Sequence, residues 1–177
     1  MTKVVDLNQY RMESAELRGF SPWKKRFGEA YDRHTKLADL SGSTLRFLAT
    51  PGEESAAAFY ELIMGVLDLG PGTKFSYLDQ KSQMEVVDIH LFLSDQTRFE
   101  MMRRLGWVES FIAGDQSLIE LVLNCETIKN KSREIPPALA SDHPGYGEYA
   151  QLTSRDRESF IRRLLPEALE RFPLEES

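Results

Sequence analysis

The sequence predicts an all-α fold: a single-domain irregular bundle of about six helices around one buried central helix. Three observations carry this. Apolar residues recur at three- and four-residue spacing through most of the chain, the period of helices that cover a core. Serine, threonine and proline mark helix starts between those stretches, and glycine marks stops. No two alternating segments offer strands that could support each other in a sheet.

The organising stretch is Thr50–Gly70. Thr50 fits an N-cap, Pro51 the first helical position, and Glu53 the third position of a capping box. Gly70 followed by Pro71 reads as the stop. Between them, apolar residues from Ala56 to Leu69 point in nearly every direction, so this helix is expected to be buried. Its length approaches the roughly 20 residues of a membrane span. Glu53, Glu54, Glu61 and Asp68 would be very costly in lipid, so no membrane partner is expected. The polar positions Glu54, Glu61, Gly65 and Asp68 share a narrow stripe. That stripe is either a solvated strip or a face turned to a cavity or partner, with Gly65 allowing close approach.

Before it, Asn8–Arg18 reads as a weak helix stopped by Gly19, after a lead-in over residues 1–7. Ser21-Pro22 then starts a second helix whose inward stripe is Trp23, Phe27, Ala30, His34 and Leu37. Ser41-Gly42-Ser43 breaks it, and Leu45, Phe47 and Leu48 form a short apolar turn. After Pro71-Gly72, Lys74–Asp79 makes a short helical piece. Gln80–Trp107 reads as a helix with Met84, Val87, Leu91, Met101 and Leu105 on one stripe. The alternative is an α+β fold with a short strand near 86–93, where Val87, Ile89, Leu91 and Leu93 alternate with Asp88, His90 and Phe92. Trp107–Ile112 alone could pair with it, and its alternation is poor.

Asp115 caps a further helix with Leu118, Leu121, Val122, Cys125 and Ile128 inward. Residues 134–152 carry three prolines and two glycines and read as a long connector without regular helix. Thr153 starts the last helix, with Phe160, Ile161, Leu164 and Leu165 inward, and Pro166 kinks it or opens a new turn.

Composition narrows the function. The 177 residues carry a net charge of −6, which opposes a general phosphate-binding surface and hence nucleic acid as the main partner. The single cysteine, Cys125, and an N-terminus without a charged region and apolar run point to the cytoplasm. Zinc-finger spacing, His-Glu-x-x-His, a Gly-x-Ser-x-Gly elbow and the phosphate-binding Gly-x-x-x-x-Gly-Lys are all absent. The looser dinucleotide pattern from Gly145 to Ala150 follows a proline-rich loop, not a strand, and is discounted. No cofactor is implied.

Two groups of residues remain as candidates. Glu61, Asp88 and His90 could hold a ligand or metal between two central elements. On a helix, however, Asp88 and His90 lie about 200° apart and cannot chelate one ion. Asp142, His143, Tyr146 and Tyr149 make the best surface contact, against the plainer reading of a packed connector. His34 reads as a core histidine and Cys125 as a small core hydrophobe. Basic clusters at Lys24–Arg26, Arg103-Arg104 and Arg162-Arg163 are interleaved with acids, as on solvated helix faces. The reading that follows is a non-catalytic interaction or regulatory protein that forms homo-oligomers, because a central helix apolar on all sides needs many neighbours. The alternatives are a small-molecule-binding or metal-dependent enzyme at Glu61, Asp88 and His90, and a nucleic-acid-binding regulator.

Overall fold

The protein is described by a computed structural model over residues 7–173. The lead-in expected at 1–7 therefore lies outside the described residues apart from Leu7. The fold is all-α. Among the described residues nine helices follow one another: α1 (Leu7–Phe27), α2 (Gly42–Ala49), α3 (Glu53–Val66), α4 (Gln80–Arg104), α5 (Leu118–Leu123), α6 (Cys125–Glu134), α7 (Tyr146–Ala150), α8 (Ser154–Arg162) and α9 (Leu165–Arg171). Short 3-10 turns lie at Leu37–Asp39, Gly72–Tyr77 and Ile112–Asp115. Among the described residues the β-type pairing is limited to two isolated bridges, Lys36 with Ser117 and Val108 with Leu139. No helix among them is long and apolar enough to cross a membrane.

The count exceeds the six expected because breaks fall at different places. Gly19 and Pro22 do not separate two helices; α1 runs through both. The reason is α3, which crosses α1 at Gly65. A Cβ on Gly19 would sit 2.7 Å from Val66 Cγ2, and one on Gly65 would sit 2.5 Å from the Arg18 carbonyl oxygen. These glycines are packing residues, not stops. Pro22 has no N–H to give the Arg18 carbonyl four residues earlier, and that is the carbonyl Gly65 packs against. Arg18 donates back to Gly65 O at 2.8 Å and to Val66 O at 3.1 Å. Farther along, Trp23 Nε1 donates to Ala58 O at 2.7 Å in the interior. The helix ends at Gly28, whose φ of 73° lies in the left-handed region. Residues 29–36 are not helical, so the stripe expected to run to Leu37 stops at Phe27, and His34 is exposed instead of buried.

α3 is the central helix, but its caps differ from those expected. Thr50 closes α2: its hydroxyl donates to Arg46 O at 2.7 Å. Gly52 is the N-cap of α3, and Ser55 Oγ ties the entry by donating to Thr50 O at 2.7 Å. The helix stops at Val66, earlier than Gly70. Asp68 takes the left-handed position (φ 58°), with Leu69 N donating to Met64 O and Asp68 N to Gly65 O. That is a Schellman ending, and Asp tolerates its strain better than most side chains. The apolar turn expected at Leu45–Leu48 is a helix, α2, capped by Ser41.

The strand alternative near 86–93 does not hold: the segment lies inside α4. The helix is rotated from the expected stripe. Met84 and Leu91 are each 60 % exposed, while Val86, Ile89, Leu93, Gln96 and Glu100 are buried. Periodicity pointed elsewhere because four of the inward residues, Ser94, Gln96, Thr97 and Glu100, are polar. Glu100, 1 % exposed, receives Arg103 Nε at 2.7 Å and Arg104 Nε at 2.9 Å. Arg104 Nη2 also donates to the carbonyls of Leu37 (3.0 Å) and Leu40 (2.7 Å), which clamps that turn to α4.

Asn124, at φ −115° and ψ 27°, divides the expected Asp115 helix into α5 and α6, and Ser117 is the N-cap in place of Asp115. The connector over 134–152 does hold one short helix, α7. Its path is fixed by Glu109 N donating to Ala138 O and Ala140 N to Trp107 O. Thr153 caps α8 as expected, and Pro166 opens a new helix, α9.

Gly65→Ala is expected to lower the unfolding free energy by about 1–3 kcal/mol, the range for overpacking a tight contact. Gly147→Ala, where a Cβ meets nothing within 4 Å, should stay neutral or gain up to about 1 kcal/mol of helix propensity. Urea titration of both variants checks this; equal effects would contradict the close crossing.

Candidate functional site

The candidate site is a groove along the outer side of α4, bounded by α5, α6 and α8. Asp79 caps α4 by accepting from Ser82 N at 2.8 Å, and those bonds from Ser82 hold its carboxyl below the usual range. One flank of the helix is buried against α2 and α3, which leaves Met84, Asp88 and Leu91 outward. The wider part of the groove holds about 770 Å³ between Met84, Glu85 and Asp88 of α4 and Leu123, Cys125 and Lys129 opposite. A smaller pocket of about 280 Å³ continues it between Asp88–Phe99 and Lys129–Arg133, closed by Glu158 and Arg162 of α8. Asp88 and Lys129 line both parts.

Of the first candidate trio, only Asp88 lies in this groove. Glu61 is bound by Arg26, which donates through Nε at 3.1 Å and through Nη2. Asp68, just past the end of α3, lies 3.5 Å from Arg18 Nε, so both carboxylates meet arginines of α1. The polar stripe of the central helix thus meets a neighbour in its own chain, with Gly65 as the point of close approach. His90 points away from Asp88. It is half-buried against the rings of Phe59 and Tyr60, at centroid distances of 5.4 and 5.2 Å. Burial, and then the positive charge of Arg98, push its pKa below the ordinary value. Among the described residues no three His, Cys, Asp or Glu side chains converge in a way that could hold a metal ion.

The loop candidates lie partly in the open and partly packed. Asp142 is exposed. His143 Nδ1 accepts from Gly145 N at 2.9 Å, and its ring meets Trp107 edge-on at 5.2 Å. Tyr149 is buried, with Arg157 over its ring and donating to its carbonyl at 3.2 Å. Tyr146 is 36 % exposed against Tyr149. The basic clusters are largely engaged by carboxylates. Arg26 holds Glu61, Arg103 and Arg104 hold Glu100, and Arg162 holds Asp95 (2.9 Å) and Glu158 (3.3 Å).

Reasoning from sequence missed the interior of the groove. Gln96 is 5 % exposed and lines the smaller pocket, where Ser132 Oγ is buried without a hydrogen-bond partner among the described residues. A signal existed: Gln96 interrupts the run Ile89, Phe92, Phe99 at helical spacing.

Burial pushes the Cys125 thiol up to about 11, reinforced by Glu126, Asp88 and Glu85 against the opposing charge of Lys129. Labelling by a disulfide reagent should therefore be slow at neutral pH and rise roughly tenfold per pH unit, because the thiolate is the nucleophile. Fast labelling at neutral pH would refute the burial argument. For His90, a lowered folded pKa means that the unfolded chain binds the proton more tightly. Stability should fall as pH drops below about 6.5, the ordinary histidine value, and level off below the folded pKa. His90→Phe should lose less stability than the parent over that window in pH-dependent denaturation.

Comparison with protein-family models, with curated proteins and with solved structures finds no match to this chain.

Proposed function

We propose that the chain is a non-catalytic protein of the cytoplasm that acts by association with a second copy of itself through the outer face of α1. The supporting observation is an apolar stripe that the fold leaves uncovered. Leu7, Tyr10 and Leu17 are 70 %, 63 % and 70 % exposed. With Ser14 between them they follow the three-four spacing of a coiled-coil seam. The opposite side of α1 carries the buried residues Ala15, Gly19 and Trp23, so α1 is apolar on two sides and its own core uses one.

The motive for self-association thereby moves. The central helix needs no second subunit, since α1, α2, α4, α5 and the Gly72–Tyr77 turn cover it. α1 carries an exposed apolar stripe instead. Arg11 and Glu16 beside the stripe have no ion-pair partner among the described residues, so two such faces offer each other both signs of charge. The non-catalytic reading rests on the dispersal of the titratable candidates into separate structural contacts.

Sedimentation equilibrium provides the check. The wild-type chain should self-associate, and Leu17→Glu should convert it to monomer with little change in melting temperature. Leu123→Glu, outside α1, should leave association intact. A strictly monomeric wild type at high concentration, or an oligomer indifferent to Leu17→Glu, would refute the reading.

A further inference from the structure

The small pocket beside Gln96 carries features that packing alone does not explain. Gln96, a polar side chain only 5 % exposed, lines it. Ser132, whose Oγ is buried without a hydrogen-bond partner among the described residues, lines the same space. A buried hydroxyl left without a partner is costly, and native interiors seldom leave one so. Both residues border an open volume of about 280 Å³. That is just below the roughly 300–1,000 Å³ of drug-sized ligand sites. The space suits a molecule of about ten heavy atoms and is too small for a nucleotide.

The charges around the pocket select the kind of molecule. Asp88, Asp95 and Glu158 face Lys129, Arg133 and Arg162, so the wall is neutral in sum. Arg162 is already taken by Asp95 and Glu158, and Lys129 lies 3.6 Å from Glu126. What remains is one carboxylate and one guanidinium without an ion pair among the described residues. They are Asp88 on α4 and Arg133 on α6, the latter holding only the Asn130 amide oxygen. A net ion would leave one of them unanswered, whereas a dipolar molecule answers both. Phe92 and Leu91 provide apolar wall beside them.

We propose that this pocket binds a small zwitterion of the α-amino-acid class. Asp88 takes the ammonium group, Arg133 the carboxylate, and the Gln96 amide with the Ser132 hydroxyl supplies the neutral hydrogen bonds. No residue of α1 lines the pocket, so the site stands or falls separately from self-association.

The test is calorimetric titration of the full chain with each free L-amino acid, followed by the best binder's analogues. At least one amino acid should bind saturably and raise the melting temperature. Its decarboxylated amine and its deaminated acid should each bind about tenfold or more weakly, since an ionic hydrogen bond contributes about 1.5–3 kcal/mol. Asp88→Asn and Arg133→Gln, both at the surface and expected to fold, should weaken binding to a similar degree. Gln96→Met should also weaken it while leaving the chain folded. Absence of saturable binding by any amino acid would overturn the proposal and leave the pocket to water. Binding that is unaffected in both Asp88→Asn and Arg133→Gln would overturn it as well.

Discussion

The arrangement depends first on the contact between α1 and α3 at Gly19 and Gly65. Two helices whose side chains interleave stay about 8–10 Å apart; glycines at the crossing let these backbones touch. A Cβ on Gly65 would stand 2.9 Å from the Gly19 Cα and closer still to the Arg18 carbonyl. Pro22 removes the N–H that would otherwise compete for that carbonyl. The two ends of the crossing are then secured by polar bonds, Arg18 to the end of α3 and Trp23 to its middle. With α1 so close, α3 is left free to meet α2, α4 and α5 on its other sides, and Leu62, Ile63 and Met64 have no exposed surface.

A second constraint acts on α4. Its far end is held by the buried Glu100 with Arg103 and Arg104, and Arg104 reaches the carbonyls of the turn before α2. A carboxylate at 1 % exposure is tolerable only because two guanidinium groups and their hydrogen bonds surround it. This sets the rotation of α4, and the rotation places Gln96 inward and Asp88 and Leu91 outward. The groove is thus a consequence of how α4 is clamped, with α6 and α8 as its remaining walls.

The residues that misled periodicity are the ones with tertiary roles. Gly19 and Pro22 ordinarily punctuate a helix, and here they serve Gly65 and Val66, far along the chain, an aim that local pattern does not contain. Thr50, Pro51 and Glu53 have the right chemistry for a cap, but Thr50 is needed to close α2. His34 sat on an apolar stripe only so long as the helix was taken past Gly28. Of the candidate site, Asp88 was singled out in the sequence only as a possible ligand with Glu61 and His90. Its companions Arg133, Ser132 and Gln96 were not, because they converge from separate helices.

The sequence by itself determined the all-α class, the central place of the helix after Thr50, the helical state of 80–104, the cap at Thr153 and the buried setting of Cys125. These follow from spacing, capping chemistry and apolar content, which act within a few residues of one another. Only the tertiary structure decided where α1 ends, which way α4 turns, that Glu61 and Asp68 face α1, and that a polar pocket opens beside Gln96. Each of those is set by an interaction between distant segments. Close backbone approach and the burial of paired charge depend on which helix lies opposite, and no local pattern records that.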